Sequence, residues 1–331
     1  MADLVSVEEI RTAARCLEGV AVRTPLLPVP AFRPVNLLVK PESLQPTGSF
    51  KLRGAYNAIA SLPDDERRNG VVAHSSGNHG FAVAYAAAML GVKAAIVVPR
   101  NAPEVKTAAI ERAGAELVRV ESTLDARLEA SNKIAESRGY AVVPPFDHRQ
   151  VIAGQGTIGL EIAEDLKAHG TSPAAVLVPV SGGGLISGIA VAVKAAYPNT
   201  RIIGVEPELA ADARESLRTG MRVKWSAEDV TRTKADALRV EQVGELPFAH
   251  MRELVSDIVT VTEDEIIDAI RRLALQARLI AEPGGAVAVA AALNRAGGEL
   301  GVPKDGADPL VAVVSGGNID PSVLAAVLAP G

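Results

Sequence analysis

Short apolar runs and longer amphipathic or polar stretches alternate along most of the chain. "VVAH" reads as a buried strand, "SSGNHG" as a loop, and an Ala-rich helix follows from about Phe81. "KAAIVVP" is the next buried run, "EVKTAAIERAG" a helix closed by Gly114, and "ELVRV" another strand. "LDARLEASNKIAESRG" has helical spacing up to Gly139, and "YAVVPPF" is extended again. Later come "AAVLVPV", a helix from Gly184, "RIIGVEP" and a final strand "VAVVSG". Strands separated by helix-length segments predict an α/β fold with one or two open, twisted, mostly parallel sheets. Ligands of such sheets collect at the carboxyl ends of the strands. The units from Val71 to Phe146 form one compact run that ends in a Pro-rich corner, "VVPPFDHRQ". A domain boundary is placed there.

A repeated loop adds more. Three strand-like runs end in nearly the same way: "SSGNHG" from Ser75, "SGGGL" from Ser181 and "SGGN" from Ser315. Glycine permits the positive φ values and close backbone approach that such loops need. In "VLVPVSGGGLISGIA" a strand, a triple-glycine turn and a helix start are joined. Either the turn needs glycine for sterics, or its N–H groups wrap a phosphate at the helix N-terminus. It is neither a P-loop nor a G-x-G-x-x-G fingerprint.

Lys51 stands out for its position. It opens the helix-like "LRGAYNAIASL", where the positive end of the helix dipole disfavours a cation. Two readings stand: a solvated surface lysine, or an amine whose pKa is depressed so that it can react as a nucleophile.

Composition narrows the classes. The 331 residues carry a net charge of −5, with 48% apolar and 3% aromatic residues. There is no dominant basic patch and little to stack on bases, so nucleic-acid binding is disfavoured. The single cysteine, Cys16, excludes an internal disulfide framework and a cysteine zinc cluster. No apolar run has membrane-spanning length, and "MADLVSVEEI" lacks a secretory layout. The expectation is a soluble, cytoplasmic protein with neither membrane nor nucleic-acid partners. A phosphate cradle, an activated lysine and polar loops at strand ends together suit pyridoxal 5'-phosphate.

"TGSFKLRGA", "SSGNHG", "IAGQGTIGLEI", "PVSGGGLISGIA", "EPGGAVAVAA" and "VVSGGNID" occur in that order between about Arg23 and Asp320. The chain thereby resembles the fold-type II pyridoxal-phosphate enzymes of the threonine/serine dehydratase and serine racemase branch. The resemblance implies two sheets with the cofactor in a cleft between a large domain (1–52 and 149–331) and a small one (53–148). It implies that Lys51 forms the Schiff base and that Phe50 lies against the ring. Asn78 would hold the ring hydroxyl, and Ser181, Gly182, Gly183, Gly184 and Leu185 the phosphate. Ser315 would face the pyridine nitrogen, with Glu282 nearby. Ser75, Ser76, Asn78 and His79 would surround the substrate, a 2-amino-3-hydroxy acid such as threonine or serine. A homodimer is also implied.

Three features keep the branch open. Ser76 is either a second-face base, giving a racemase or a 3-hydroxyaspartate enzyme, or a loop serine that caps the next helix. In "GVEPELAADARES", Glu206, the Ala210 carbonyl and Asp212 match a divalent-metal site of racemase-like members, suited to Mg²⁺, Ca²⁺ or Mn²⁺. The alternative is a solvated acidic turn. Ala237 stands where the family usually has glycine, which leaves the substrate side chain open. A non-catalytic ligand-binding protein is a remote alternative, and retention of Lys51, Asn78 and Ser315 together speaks against it. "VTEDEI" reads as a Thr262 helix cap and "DDERR" as a charged turn.

Overall fold

The computed structural model describes residues 3–102 and 104–329. Among the described residues ten strands form two sheets. Their ranges are β1 Leu27–Pro28, β2 Leu37–Pro41, β3 Val71–His74, β4 Ala94–Pro99 and β5 Glu116–Val120. The rest are β6 Ala141–Val142, β7 Ala175–Pro179, β8 Arg201–Pro207, β9 Asp257–Val261 and β10 Leu310–Val314. The larger sheet has the order β1-β2-β10-β7-β8-β9, and the smaller β5-β4-β3-β6. Every pairing is parallel except β1 with β2.

The central strands are buried on both faces. All five residues of β7 and of β10 are enclosed. Such strands carry Val, Leu, Ile and Ala continuously rather than in alternation, because helices cover both sides of a parallel sheet. The helix Pro283–Arg295 lies in the core of the large sheet, and ten of its residues are buried. Its Ala-rich sequence lets it sit close to β7 and β10.

The sequence pattern misses β1, β2 and β9. The first two are short and end in proline, and β9 "DIVTV" runs directly into the cap of the next helix. The "YAVVPPF" run shrinks to two strand residues, because Pro144 and Pro145 cannot donate to a ladder. "DDERR" is not a turn but part of a short, largely exposed helix, Asp64–Asn69. Thr262 does cap its helix, in a reciprocal box with Glu265. The helix expected from Phe81 starts three residues sooner, at Asn78. A first helical turn needs no internal acceptor for its N–H groups, so apolar spacing does not reveal it.

Candidate active site

Lys51 is the first residue of the helix Lys51–Ala60, whose N-cap Phe50 offers no side-chain cap. Its Nζ donates to the Pro145 carbonyl at 2.7 Å and lies 5.1 Å from the Phe50 ring centre. Burial pushes the amine down to about 8, opposed by the charge of Glu282. A much larger share of this amine is therefore neutral near pH 8 than for a solvated lysine.

The "SGGN" loop is held directly against the lysine segment. Phe50 N–H donates to the Ser315 carbonyl at 3.0 Å, and Ser49 and Gly316 form an isolated β-bridge. The Ser315 hydroxyl is buried and makes one long bond, 3.4 Å, to the Gly284 carbonyl. Glu282 precedes the helix Pro283–Arg295 and is bound to the same loop, its N–H donating to the Gly316 carbonyl at 3.0 Å. A Cβ on Gly316 would come 2.3 Å from the Glu282 Oε1, so only glycine allows this approach.

The third loop reaches over from the small sheet. Asn78 Nδ2 donates to Glu282 Oε1 at 2.6 Å, and Asn318 Nδ2 donates to Asn78 Oδ1 at 2.8 Å. Asn78 opens the helix Asn78–Met89, so the N–H groups of its first turn have no acceptor inside the helix. Ser75 and Ser76 precede it and are partly buried. The His79 ring is turned away, with Nε2 against the Val143 carbonyl at 2.8 Å. Burial and then the Lys51 charge hold its pKa at about 3. Only the backbone amide of His79 is available to a ligand here, not its imidazole.

The triple-glycine loop after β7 leads into the helix Gly184–Ala196. Gly183 has φ +88°, in the left-handed region. A Cβ on Gly182 would strike the Phe146 ring at 2.2 Å, and one on Gly183 would meet Pro247 at 2.8 Å. The side-chain directions are thus spent on packing, and the open side of the loop is backbone. The first helical turn adds N–H groups without internal partners, which is the donor set an oxyanion needs. Lysine, neutral hydroxyl, amide-lined loop and helix start together fit a pyridoxal phosphate.

Ala237 lies beside this site. A methyl added to Gly284 would come 3.2 Å from the Ala237 Cβ, so the Ala237 methyl packs closely against Gly284.

Glu206 and Asp212 are both buried, at the end of β8 and the start of the helix Asp212–Thr219. Glu206 accepts from the N–H groups of Ala213 at 3.1 Å and Arg214 at 2.7 Å. The Asp212 Oδ2 is buried without a hydrogen-bond partner among the described residues. Burial, and for Glu206 also the neighbouring Asp212, raise both carboxyl groups above their ordinary range. This is not the solvated acidic turn of the bland reading. Among the described residues no group of three or more His, Cys, Asp or Glu side chains gathers as a metal site. The third oxygen expected is a carbonyl, that of buried Ala210.

Arg127 was not legible in the sequence. It lies on the helix Leu124–Arg138 and is partly buried. Burial and then the Arg127 charge push His74, the last residue of β3, below its usual pKa. Nothing in "LDARLEAS" distinguishes this arginine from a solvated one; only the packing of its helix on β3 does.

Known proteins resemble this chain over most of its length. The family described as "Pyridoxal-phosphate dependent enzyme" matches residues 17–316. An L-threonine ammonia-lyase of Thermotoga maritima is 42% identical over 97% of this chain and 77% of its own length. An L-threo-3-hydroxyaspartate ammonia-lyase of Saccharomyces cerevisiae is 37% identical over 86% of this chain and 83% of its own. Among solved structures, maize serine racemase superposes with a TM-score of 0.90 at 34% identity, covering 97% of this chain and 96% of that one.

Proposed function

The chain belongs to the pyridoxal-phosphate dependent enzymes, and from that premise we propose that it is an ammonia-lyase acting on a 2-amino-3-hydroxy acid. The products are a 2-oxo acid and ammonia. The observation that carries this reading is the enclosed amine of Lys51, depressed to about 8 beside the Ser315 loop.

Pyridoxal phosphate, when bound, supplies an aldehyde for amines and a ring that draws electrons from the substrate's Cα. The residues of this chain do the rest. Lys51 would carry the cofactor and, as a neutral amine, take the Cα proton of the substrate. Phe50 would back the ring, Asn78 would hold its hydroxyl, and Glu282, which accepts from Asn78 Nδ2, would orient Asn78. Ser181, Gly182, Gly183, Gly184 and Leu185 would hold the phosphate through hydroxyl and amide donors. The Ser315 hydroxyl would serve the pyridine nitrogen as a neutral partner that does not enforce a proton there. Ser75 and the amides of Asn78 and His79 hold the substrate carboxylate. The Cβ hydroxyl would leave as water, its added proton balancing the one that Lys51 takes from Cα, and one water would hydrolyse the released enamine to the 2-oxo acid and ammonia.

A second reading keeps Ser76 as a base on the opposite face, giving racemisation or elimination from the other epimer. Arg127 is the candidate for a second substrate carboxylate: its charge, partly buried and opposed by Glu241, is felt at His74, the residue before the serine loop. We also place a divalent cation on Glu206, the Ala210 carbonyl and Asp212, supported by the orphaned Asp212 oxygen. The division into domains 1–52 with 149–331 and 53–148 is supported by the second sheet, whose strands all fall within 53–148. Residues 1, 2, 103, 330 and 331 of that division lie outside the described residues. A cytoplasmic homodimer completes the proposal; exposed Leu275, Ile280 and Leu44 offer apolar surface for a second copy.

A ¹H NMR time course in D₂O with L-serine, L-threonine, D-serine and both 3-hydroxyaspartate diastereomers tests the function. Release of 2-oxo acid with no deuterium in recovered substrate is the expected result. Deuterium at Cα together with the opposite enantiomer would make Ser76 a second base and the protein a racemase first.

A further inference from the structure

The segment Pro145–Phe146–Asp147 touches three separate parts of the site within three residues. Pro145 receives the Lys51 amine at 2.7 Å. The Phe146 ring fills the space that a Gly182 side chain would need, and the Phe146 backbone does the same at Gly184. Asp147 reaches further. Its Oδ2 accepts from Glu245 N–H at 2.8 Å, and its Oδ1 from Leu246 N–H at 3.0 Å.

Those two N–H groups start the helix Glu245–Leu254, whose own N-cap is Gly244 and carries no capping side chain. Asp147 therefore caps a helix almost a hundred residues away in sequence. The same helix supports the glycine loop. Pro247 and Met251 lie where a Gly183 side chain would go. Gly244 N–H donates to the Gly182 carbonyl at 3.1 Å, and Ser187 Oγ donates to the Pro247 carbonyl at 3.3 Å. A Cβ on Gly244 would come 2.9 Å from the Asp147 carboxyl carbon, so this glycine admits the carboxylate.

We propose that Asp147 is a positioning residue for the cofactor phosphate: by capping the helix Glu245–Leu254 it sets the loop Ser181–Leu185 relative to Lys51. It touches neither cofactor nor substrate. The inference rests on the assignment of that loop to the phosphate.

The test measures how fast holoenzyme loses its visible absorbance on dilution, once loaded with pyridoxal phosphate and once with pyridoxal. Wild-type protein should hold the phosphate ester at least tenfold longer than pyridoxal. Asp147→Ala should shorten retention of the phosphate ester about tenfold and leave that of pyridoxal within twofold. Asp147→Asn, which keeps one acceptor, should fall between. Gly244→Ala displaces the carboxylate from the other side and should give the same pattern, so it carries the test if Asp147→Ala does not fold. Equal loss of both ligands by wild-type protein overturns the phosphate assignment, and this inference with it. A clear phosphate preference in wild-type that Asp147→Ala and Gly244→Ala leave unchanged overturns the inference alone. Equal acceleration of the loss of both ligands in Asp147→Ala would make the cap purely structural and overturn the inference.

Discussion

At the scale of the residue, Lys51 decides the chemistry, and its protonation can be measured without cofactor. The amine is reactive only when neutral. Because burial lowers its pKa to about 8, reactivity toward an acylating reagent should rise through pH 8 and level off above it. Competitive labelling of the cofactor-free chain, read peptide by peptide, checks this. A midpoint near the ordinary lysine value of about 10.4 would refute it. Arg127→Gln carries the second residue-scale prediction. If this cation holds a second substrate carboxylate, kcat/KM for 3-hydroxyaspartate should fall at least tenfold, about 1.4 kcal/mol, while that for serine changes little. An equal loss for both substrates would leave Arg127 a packing residue.

At the scale of the element, the helix that starts with Lys51 is held by buried charge. Arg53 donates to both oxygens of Glu42 at 2.8 and 2.9 Å, to Glu161 at 2.6 and 3.0 Å, and to Thr157 at 3.1 Å. Lys40 closes the set with Glu161 at 2.5 Å. Two cations and two anions balance, and Thr24 and Gln45 supply further donors to Glu42. Such a network adds little stability over an apolar core, but breaking it is costly. Arg53→Met would leave the fully buried Glu42 with one neighbouring cation fewer. It should destabilise the fold by about 3–5 kcal/mol in urea unfolding. The exposed pair Arg11 and Glu8, by contrast, should be worth under about 1 kcal/mol. A loss of similar size at both sites would contradict the role given to burial.

At the scale of the whole molecule, the site exists only because two sheets meet. Asn78 follows β3 of the small sheet, while Glu282 and Asn318 flank strands and helices of the large one. The buried carboxylates after β8 are a second whole-fold feature. Saturating Mn²⁺ or Mg²⁺ at ~100 times its Kd should stabilise the protein by about 2.7 kcal/mol, and Asp212→Asn should remove that gain. Calorimetry with and without EDTA reads both. No metal-dependent change in Tm would remove the cation from the proposal.

The alternation of apolar runs and glycine-closed helices was enough to establish the α/β class, because a parallel sheet covered on both faces demands continuous Val, Leu and Ile. The motifs around Lys51, Asn78, Ser181 and Ser315 were legible for a similar reason. Tight loops at strand ends tolerate few residues, so their glycines and serines mark themselves. What the chain could not show was contact between distant segments. That the His79 ring faces Val143, that Asp147 caps a helix at Glu245, and that Arg127 reaches toward His74 all depend on packing. The same holds for Arg53, an ordinary cation in "KLRGA" until Glu42 and Glu161 close around it. Local spacing fixes which face a residue takes within its own helix or strand. Only tertiary structure decides what that face meets, because desolvation and pairing arise where separate elements exclude water together.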